Sequence, residues 1–283
     1  MKVGLVLEGG GLRGLYTAGV LDTFLKNNIK IDCIIGVSAG ALFGVNYYSK
    51  QIGRALNYNK KYAKDPRYMS IPSLIFTGNF INKNFAFYKI TNKLVPFDNK
   101  TYKKNCKNFF AVVTNVKTGA AEYMAIDDPI EQMEILRATS AIPLLSKMVR
   151  IGQNKYLDGG ASDSIPIKAM EKLNYDKIIV VETQPRNYLK EPVSQKQEKL
   201  LKLRYFKYPE LINTILTRHE KYNEQKQYVK ELENKGNIFV IRPSSSVRTS
   251  IYNNNAERYQ EIYDLGVNDT KDILNDLKKY IKE

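Results

Sequence analysis

Over the first fifty or so positions, apolar residues come in compact runs, each closed by glycine or by polar residues. KVGLVLE at 2–8 has the length and β-branched character of a buried strand, and GLYTAGVLDTFLKNN at 14–28 carries apolar residues at helical spacing. CIIGV at 33–37 repeats the strand pattern, and a helix is predicted from Ser38 to about Lys50. Strand, helix, strand, helix in this order predicts a parallel α/β sheet joined by right-handed crossovers.

Residues 51–105 read as less regular and hold the aromatic run SLIFTGNFINKNFAFYKI. FFAVVTNVKTGAAEYM predicts a hairpin with Lys117, Thr118 and Gly119 at its turn. PIEQMEILRATSAIP predicts a helix ended near Pro143, KYLDGG a short strand entering a turn, and DKIIVVET another buried strand. Residues from about 186 to 235 read as a charged, largely helical insertion, and NIFVIRPS as a further strand. NAERYQEIYDLGVNDTKDILNDLKKYIKE predicts one closing helix with an interior glycine. There is no internal repeat, and a single domain over residues 1–283 is expected.

With 283 residues and 43% hydrophobic composition the chain can bury a substantial core. No apolar run approaches the roughly 18–20 residues of a spanning helix, and the opening MKVGLVLEGGGLRG breaks into glycine too early for a signal-peptide core. A cytoplasmic protein is expected on these grounds, with any membrane contact peripheral. Cys33 and Cys106 belong to no CxxC or Cys/His cluster, so both are expected as free, buried thiols and no metal site is expected. A formal net charge of +15 favours polyanionic surfaces, nucleic acid and anionic bilayers alike. Lys, Asn, Tyr and Ile are abundant along the whole chain, so charge alone selects neither.

Three glycine-rich turns carry the candidate chemistry. In EGGGLRG, Gly9, Gly11 and Gly14 satisfy GxGxxG at a strand-to-helix junction. A dinucleotide site needs an acid at the carboxyl end of the second strand, whereas Asp32 precedes that strand, and no Lys-Ser/Thr pair follows for a Walker-type loop. What remains is a run of backbone N–H groups able to face an anion at a helix N-terminus. Gly36-Val37-Ser38-Ala39-Gly40 is a GxSxG elbow in the required strand-turn-helix context, lifting the Ser38 hydroxyl above the sheet edge. YLDGGASDSIP leaves Asp158 sterically open between a short strand and two glycines.

The order Ser38, Asp158, His219 matches that of α/β-hydrolase triads. His219, the only histidine, nevertheless sits in TRHEKYNEQKQ, which reads as a solvated helix face with no strand end to aim an imidazole. Asp158 is then the remaining base, and burial would raise its pKa toward a useful range.

Taken together, GGGLRG at 9–14, GVSAG at 36–40 and DGG at 158–160 resemble the patatin-like phospholipase family, in that family's order. ATSAIP at 138–143, with Asp163 and Pro166, resembles its bacterial branch. The likeness is clear over about residues 1–185, extends to NIFVIRP, and is weak over 186–235 and near 64–100. The resemblance implies a three-layer α/β/α fold with a mostly parallel central sheet. It implies Ser38 as nucleophile, Asp158 as proton acceptor, and the amides of Gly10, Gly11 and Leu12 as oxyanion hole. Gly9, Gly14, Gly36, Gly40, Gly159 and Gly160 would support the turns, and Arg13 would brace its loop. Glu8 stands where many relatives have Asp.

The expected reaction is hydrolysis of an acyl lipid ester through an acyl-serine, without a cofactor. Transient contact with an anionic membrane surface is expected, and a nucleic-acid partner is not. The aromatic stretch 74–88, with Phe76, Phe80, Phe85 and Phe87, suits a lipid interface or a core cap. Two other readings are a nucleotide-binding oxidoreductase using the GxGxxG turn, and a non-catalytic protein binding membranes or nucleic acid through its charge.

Overall fold

The computed structural model describes residues 1–247 and 255–282. The chain opens with β1 (Val3–Leu7), α1 (Gly14–Lys26), β2 (Cys33–Val37) and α2 (Ala39–Tyr48). Helices α3 (Arg54–Lys61) and α4 (Ile71–Thr77), a π-helical segment Lys83–Leu94 and α5 (Asn99–Asn105) follow. Then come β3 (Phe109–Asn115), β4 (Ala121–Ala125), α6 (Met133–Thr139), β5 (Val149–Ile151), β6 (Asn154–Asp158), α7 (Ile167–Glu171) and β7 (Lys177–Val181). The last elements are α8 (Gln195–Arg204), α9 (Pro209–Leu216), α10 (Arg218–Asn234), β8 (Phe239–Ile241), α11 (Ala256–Asp272) and α12 (Leu274–Lys282).

Strand β1 is buried along its length because it lies inside the sheet, parallel to β2 on one side and to β7 on the other. Side chains alternate across a strand, so its two faces feed two cores. Val3, Leu5 and Leu7 pack with residues of α1, α2 and α11, whereas Val6 joins Ile35, Val112 and Val180 under residues of α7 and α10. Helices therefore cover both faces of a mostly parallel sheet, as the sequence resemblance implied. β2–β3 and β7–β8 are also parallel, while β4, β5 and β6 pair antiparallel.

The hydrogen-bonded path runs β5-β6-β3-β2-β1-β7-β8, with β4 also paired to β3. Strand β3 has three partners and only two edges. β4 occupies one edge over Phe110–Thr114 in register, so β2, pairing up to Val37↔Val112, and β6, beginning at Asp158↔Val113, must share the other. Parallel β2 and antiparallel β6 thus meet head to head along one edge. Consecutive register positions on β3 bring the elbow after Val37 to the end of β6.

Several expectations need correction. Residues 51–105 are largely helical: Ser70 caps α4, Asn82 the π-helical segment and Asp98 α5, each accepting from a backbone N–H three residues on. These short elements are held by aromatic packing, such as Tyr62 against Phe85 at 5.4 Å, and show no long apolar period. Helix α6 stops at Thr139, not near Pro143, because the following carbonyl of Ala141 accepts from Asp158 N and the chain is drawn to β6. β5 had no counterpart in the sequence reading; it forms a hairpin with β6 around Gly152. The closing helix is two helices broken at Ile273, which returns α12 to the sheet, where Tyr280 Oη accepts from Ile178 N. Glu283 lies outside the described residues. Cys33 is buried, but Cys106 is only half-buried; both are free.

Helices α1 and α11 pack backbone to backbone at Gly266, where an added Cβ would come 2.1 Å from the carbonyl oxygen of Tyr16. Gly266→Ala should therefore force the pair apart and destabilise the protein by about 1–3 kcal/mol in urea unfolding. An unchanged midpoint would show that this contact yields freely.

Candidate active site

Ser38 caps α2 with φ 53° and ψ −121°, a left-handed conformation costly for a residue with a side chain. The surrounding backbone holds it there. Ser38 N donates to Thr139 Oγ1 at 2.9 Å, and Thr139 Oγ1 donates to the carbonyl of Val112 at 2.6 Å. On the other side α2 starts directly against the end of β1. A Cβ on Gly40 would lie 2.6 Å from the Leu7 carbonyl oxygen and 2.8 Å from that of Glu8, so only glycine fits.

The head-to-head strands deliver Asp158 to this elbow. Ser38 Oγ donates to Asp158 Oδ2 at 2.6 Å, and Gly160 N donates to Oδ1 at 2.7 Å. Asp158 is only 7% exposed, and burial raises its pKa above the ordinary 3.8. The Ser38 bond, the positive field of Arg218 and the Gly160 amide pull the other way without cancelling it. A carboxylate so placed can take a proton from the hydroxyl it already holds.

The first glycine turn lies against the elbow: Cβ atoms added at Gly9 and Gly14 would meet Ser38 Cβ at 3.2 Å and Ala39 Cβ at 2.7 Å. Gly11 has φ 54° and opens a tight turn through Arg13. Among the described residues, the N–H groups of Gly10, Gly11 and Leu12 donate to no protein acceptor. They are free donors at the rim of the cavity that Ser38 also lines. Gly36, one residue before the end of β2, lies against α2, where an added Cβ would come 2.7 Å from Ala41 Cα, and Gly159 and Gly160 form the turn that aims Asp158.

Two cavities meet at Gly11, Leu12, Ser38 and Ile142. One runs into apolar side chains that include Leu42, Phe43, Phe80, Phe87, Ile90 and Met133. The other passes Asp158 and is lined by Arg13, Lys190 and Arg218. The aromatic stretch therefore divides: Phe80, Phe85 and Phe87 are buried, and Phe76 is 86% exposed.

Helix α10 is not the solvated face expected of TRHEKYNEQKQ. Arg218, Tyr222, Lys226 and Val229 form one stripe turned to the protein: Tyr222 Oη donates to Glu8 Oε1 at 2.7 Å and Lys226 Nζ bonds Glu182 Oε2 at 2.8 Å. Glu8 thus serves as a buried acceptor for α10 and for Thr183 N, with its pKa raised by burial and then by Glu182. Arg218 was missed because the stripe is polar, and apolar periodicity cannot register it; Lys190 lies in the loop before α8, where no periodicity marks it. The Nε of Arg13 is buried without a hydrogen-bond partner. His219 turns away, with Nδ1 3.0 Å from the Leu216 carbonyl oxygen. Asp32 accepts from Val3 N at the opposite end of β1, where it cannot serve a dinucleotide on the glycine turn.

A family model described as patatin-like phospholipase matches residues 5–170, more than half of the chain. The chain belongs to the patatin-like phospholipase family. Membership supports a lipid ester hydrolase. A second family model, a domain of unknown function, matches residues 208–282 of this patatin-like chain. The uncharacterized protein YjjU of Escherichia coli is 27% identical over 272 residues, covering 94% of this chain and 75% of that protein. Lysophospholipase NTE1 of Scheffersomyces stipitis is 27% identical over 186 residues; the match covers 64% of this chain but only 12% of that much longer protein. Among solved structures, VipD from Legionella pneumophila aligns over 97% of this chain and 66% of its own at a TM-score of 0.45 and 12% identity, too distant a likeness to bear on the site. Among the described residues, no helix is long and apolar enough to cross a membrane.

Proposed function

We propose that this patatin-like chain cleaves the carboxylic ester of a phospholipid or lysophospholipid through a Ser38–Asp158 dyad and an acyl-serine. The observation that carries this reading is the 2.6 Å bond from Ser38 Oγ to a buried carboxylate. Ser38 Oγ attacks the acyl carbonyl carbon while its proton passes to Asp158. The oxyanion is held by the N–H groups of Gly10, Gly11 and Leu12. Collapse breaks the ester bond, and the leaving alcohol takes the proton from Asp158. Water then attacks the acyl-serine, its proton passing through Asp158 back to Ser38 as the fatty acid leaves.

The apolar cavity behind Ser38 suits the acyl chain, and the name of the yeast relatives favours a lysophospholipid. Ile75 and Phe76 on α4, Leu203 on α8 and Phe206 just after it are exposed. The two groups flank one loop, since Leu145 O accepts from Phe80 N and Leu144 N donates to Tyr205 Oη. These side chains suit transient contact with a lipid surface at the mouth of the site.

The test is release of fatty acid from a panel of acyl lipids by purified protein, with Ser38→Ala as control. Release by wild type alone supports the reading; equal release by both, or none, contradicts it. His219→Ala should retain turnover within about twofold, because its imidazole lies outside the proton path. Loss comparable to that of Ser38→Ala would restore a triad. Because burial raises the Asp158 pKa, kcat/KM should fall on the acid side at a pH above the roughly 4 of an exposed aspartate.

A further inference from the structure

Three cations stand in the polar cavity beside Ser38: Arg13 on the glycine turn, Lys190 before α8, and Arg218 at the start of α10. Among the described residues none of them has an acidic partner at salt-bridge distance or a side-chain hydrogen bond. The Nε atoms of Arg13 and Arg218 are closed off from solvent and unbonded. Lys190 Nζ lies 5.1 Å from the centre of the Tyr222 ring, and burial, then Arg218 and Arg13, bring its pKa down to about 8.

The nearby acids do not quench this charge. Asp158 is engaged by Ser38 and Gly160, and Glu8 by Thr183 and Tyr222. Like charges crowded together, with guanidinium donors left unbonded away from water, are costly unless an anion enters. A planar guanidinium fork and an ammonium converging on one space match a phosphate. Lys190 and Arg218 lie outside the 5–170 segment matched by the patatin-like model, and Arg218 belongs to the 208–282 segment of unassigned role.

Building on the hydrolase reading above, we infer that Lys190 and Arg218, with Arg13, form a phosphate subsite that selects acyl lipids carrying a phosphate near the scissile ester. With the acyl chain in the apolar cavity and the phosphate among the cations, the ester carbonyl falls at Ser38, where the two cavities join. The segment outside the patatin-like match thereby contributes substrate selection.

The experiment compares kcat/KM for a 1-acyl glycerophosphate and the uncharged monoacylglycerol of the same chain. Wild type should favour the phosphate-bearing lipid. In Lys190→Gln and in Arg218→Gln, the ratio of the two kcat/KM values should fall about tenfold or more, mainly through KM, the size expected for losing one charge-assisted hydrogen bond. Arg218→Lys should recover part of it. Taking the ratio cancels any effect of Arg218 on Asp158, which acts on both substrates alike, and any partial loss of folded protein.

In parallel, inorganic phosphate is titrated against Ser38→Ala with and without the two substitutions, read as a rise in Tm. A fallen ratio supports the lipid phosphate as occupant; an unchanged ratio overturns it, even if free phosphate binds. Should wild type hydrolyse no lipid, the titration decides separately. Phosphate binding lost with Lys190 and Arg218 upholds an anion subsite while the hydrolase reading falls, and binding that is absent or unaffected overturns the subsite.

Discussion

Asp158→Asn is expected to remove nearly all turnover and at the same time to make the protein more stable at neutral pH. The catalytic half follows from geometry, since an amide in place of Asp158 Oδ2 can still meet Ser38 Oγ but cannot accept its proton. Loss of general base catalysis costs roughly two to four orders of magnitude in rate. The stability half follows from burial, which raises the Asp158 pKa and so disfavours its ionised form in the folded state. A carboxyl with a raised folded pKa binds its proton more tightly when folded. Its contribution is therefore most favourable below its unfolded pKa of about 4 and is lost as pH rises through the folded value. The variant should gain about 1.4 kcal/mol over wild type for each unit of displacement at pH 7, and this gain should vanish toward pH 4. Urea unfolding at the two pH values checks it, and a variant less stable than wild type at pH 7 would contradict it. Ser38→Gly should also stabilise, by about 1–3 kcal/mol, through release of the strained φ of 53°. Gains at both positions would mark the pair as kept at the expense of folding stability.

Lys226→Met is expected to be among the most damaging single changes, although it lies on a helix that looks polar all round. Lys226 and Glu182 are 7% and 1% exposed and bond at 2.8 Å. Glu182 Oε2 also accepts from Arg242 Nε at 2.8 Å, while Oε1 has no partner. Removing the ammonium leaves a buried carboxylate with half its support and next to a second buried acid, Glu8. Breaking a buried pair from one side typically costs about 3–5 kcal/mol. Replacing both members, as in Lys226→Met with Glu182→Leu, should recover most of that, because Arg242 keeps Glu233 at 2.9 Å. Chemical denaturation of the two singles and the double forms the cycle. A cost below about 1 kcal/mol for Lys226→Met would show that the pair contributes little.

What was legible in the sequence was local. Val3–Leu7 and Cys33–Val37 announce themselves as buried strands, and the glycines around Ser38 and after Asp158 mark turns that only small residues can make. Adjacent parallel pairing of β1 and β2 followed from their order, which set the first glycine turn beside the elbow. The meeting of Ser38 and Asp158 had another cause. It depends on β2 and β6 sharing one edge of β3, a tertiary fact with no local signal. The cationic wall was hidden for a different reason. Arg218, Tyr222 and Lys226 repeat every four residues, but a helix that buries polar groups against Glu8 and Glu182 shows its inner face only once those acids are in place. Residues 51–105 escaped because their helices are short and aromatic, although the caps at Ser70, Asn82 and Asp98 were there to be read.

In the proposed mechanism a buried carboxylate, with no imidazole, activates the hydroxyl at the elbow. The rate and position of labelling by a fluorophosphonate, followed by intact and peptide mass spectrometry in wild type, His219→Ala, Asp158→Asn and Ser38→Ala, put this to the test. One adduct is expected on Ser38 in wild type and in His219→Ala at similar rates, with labelling slowed by orders of magnitude in Asp158→Asn and none in Ser38→Ala. An adduct on another residue, or a His219→Ala protein that resists the reagent while Asp158→Asn accepts it, would rule the Ser38–Asp158 dyad out.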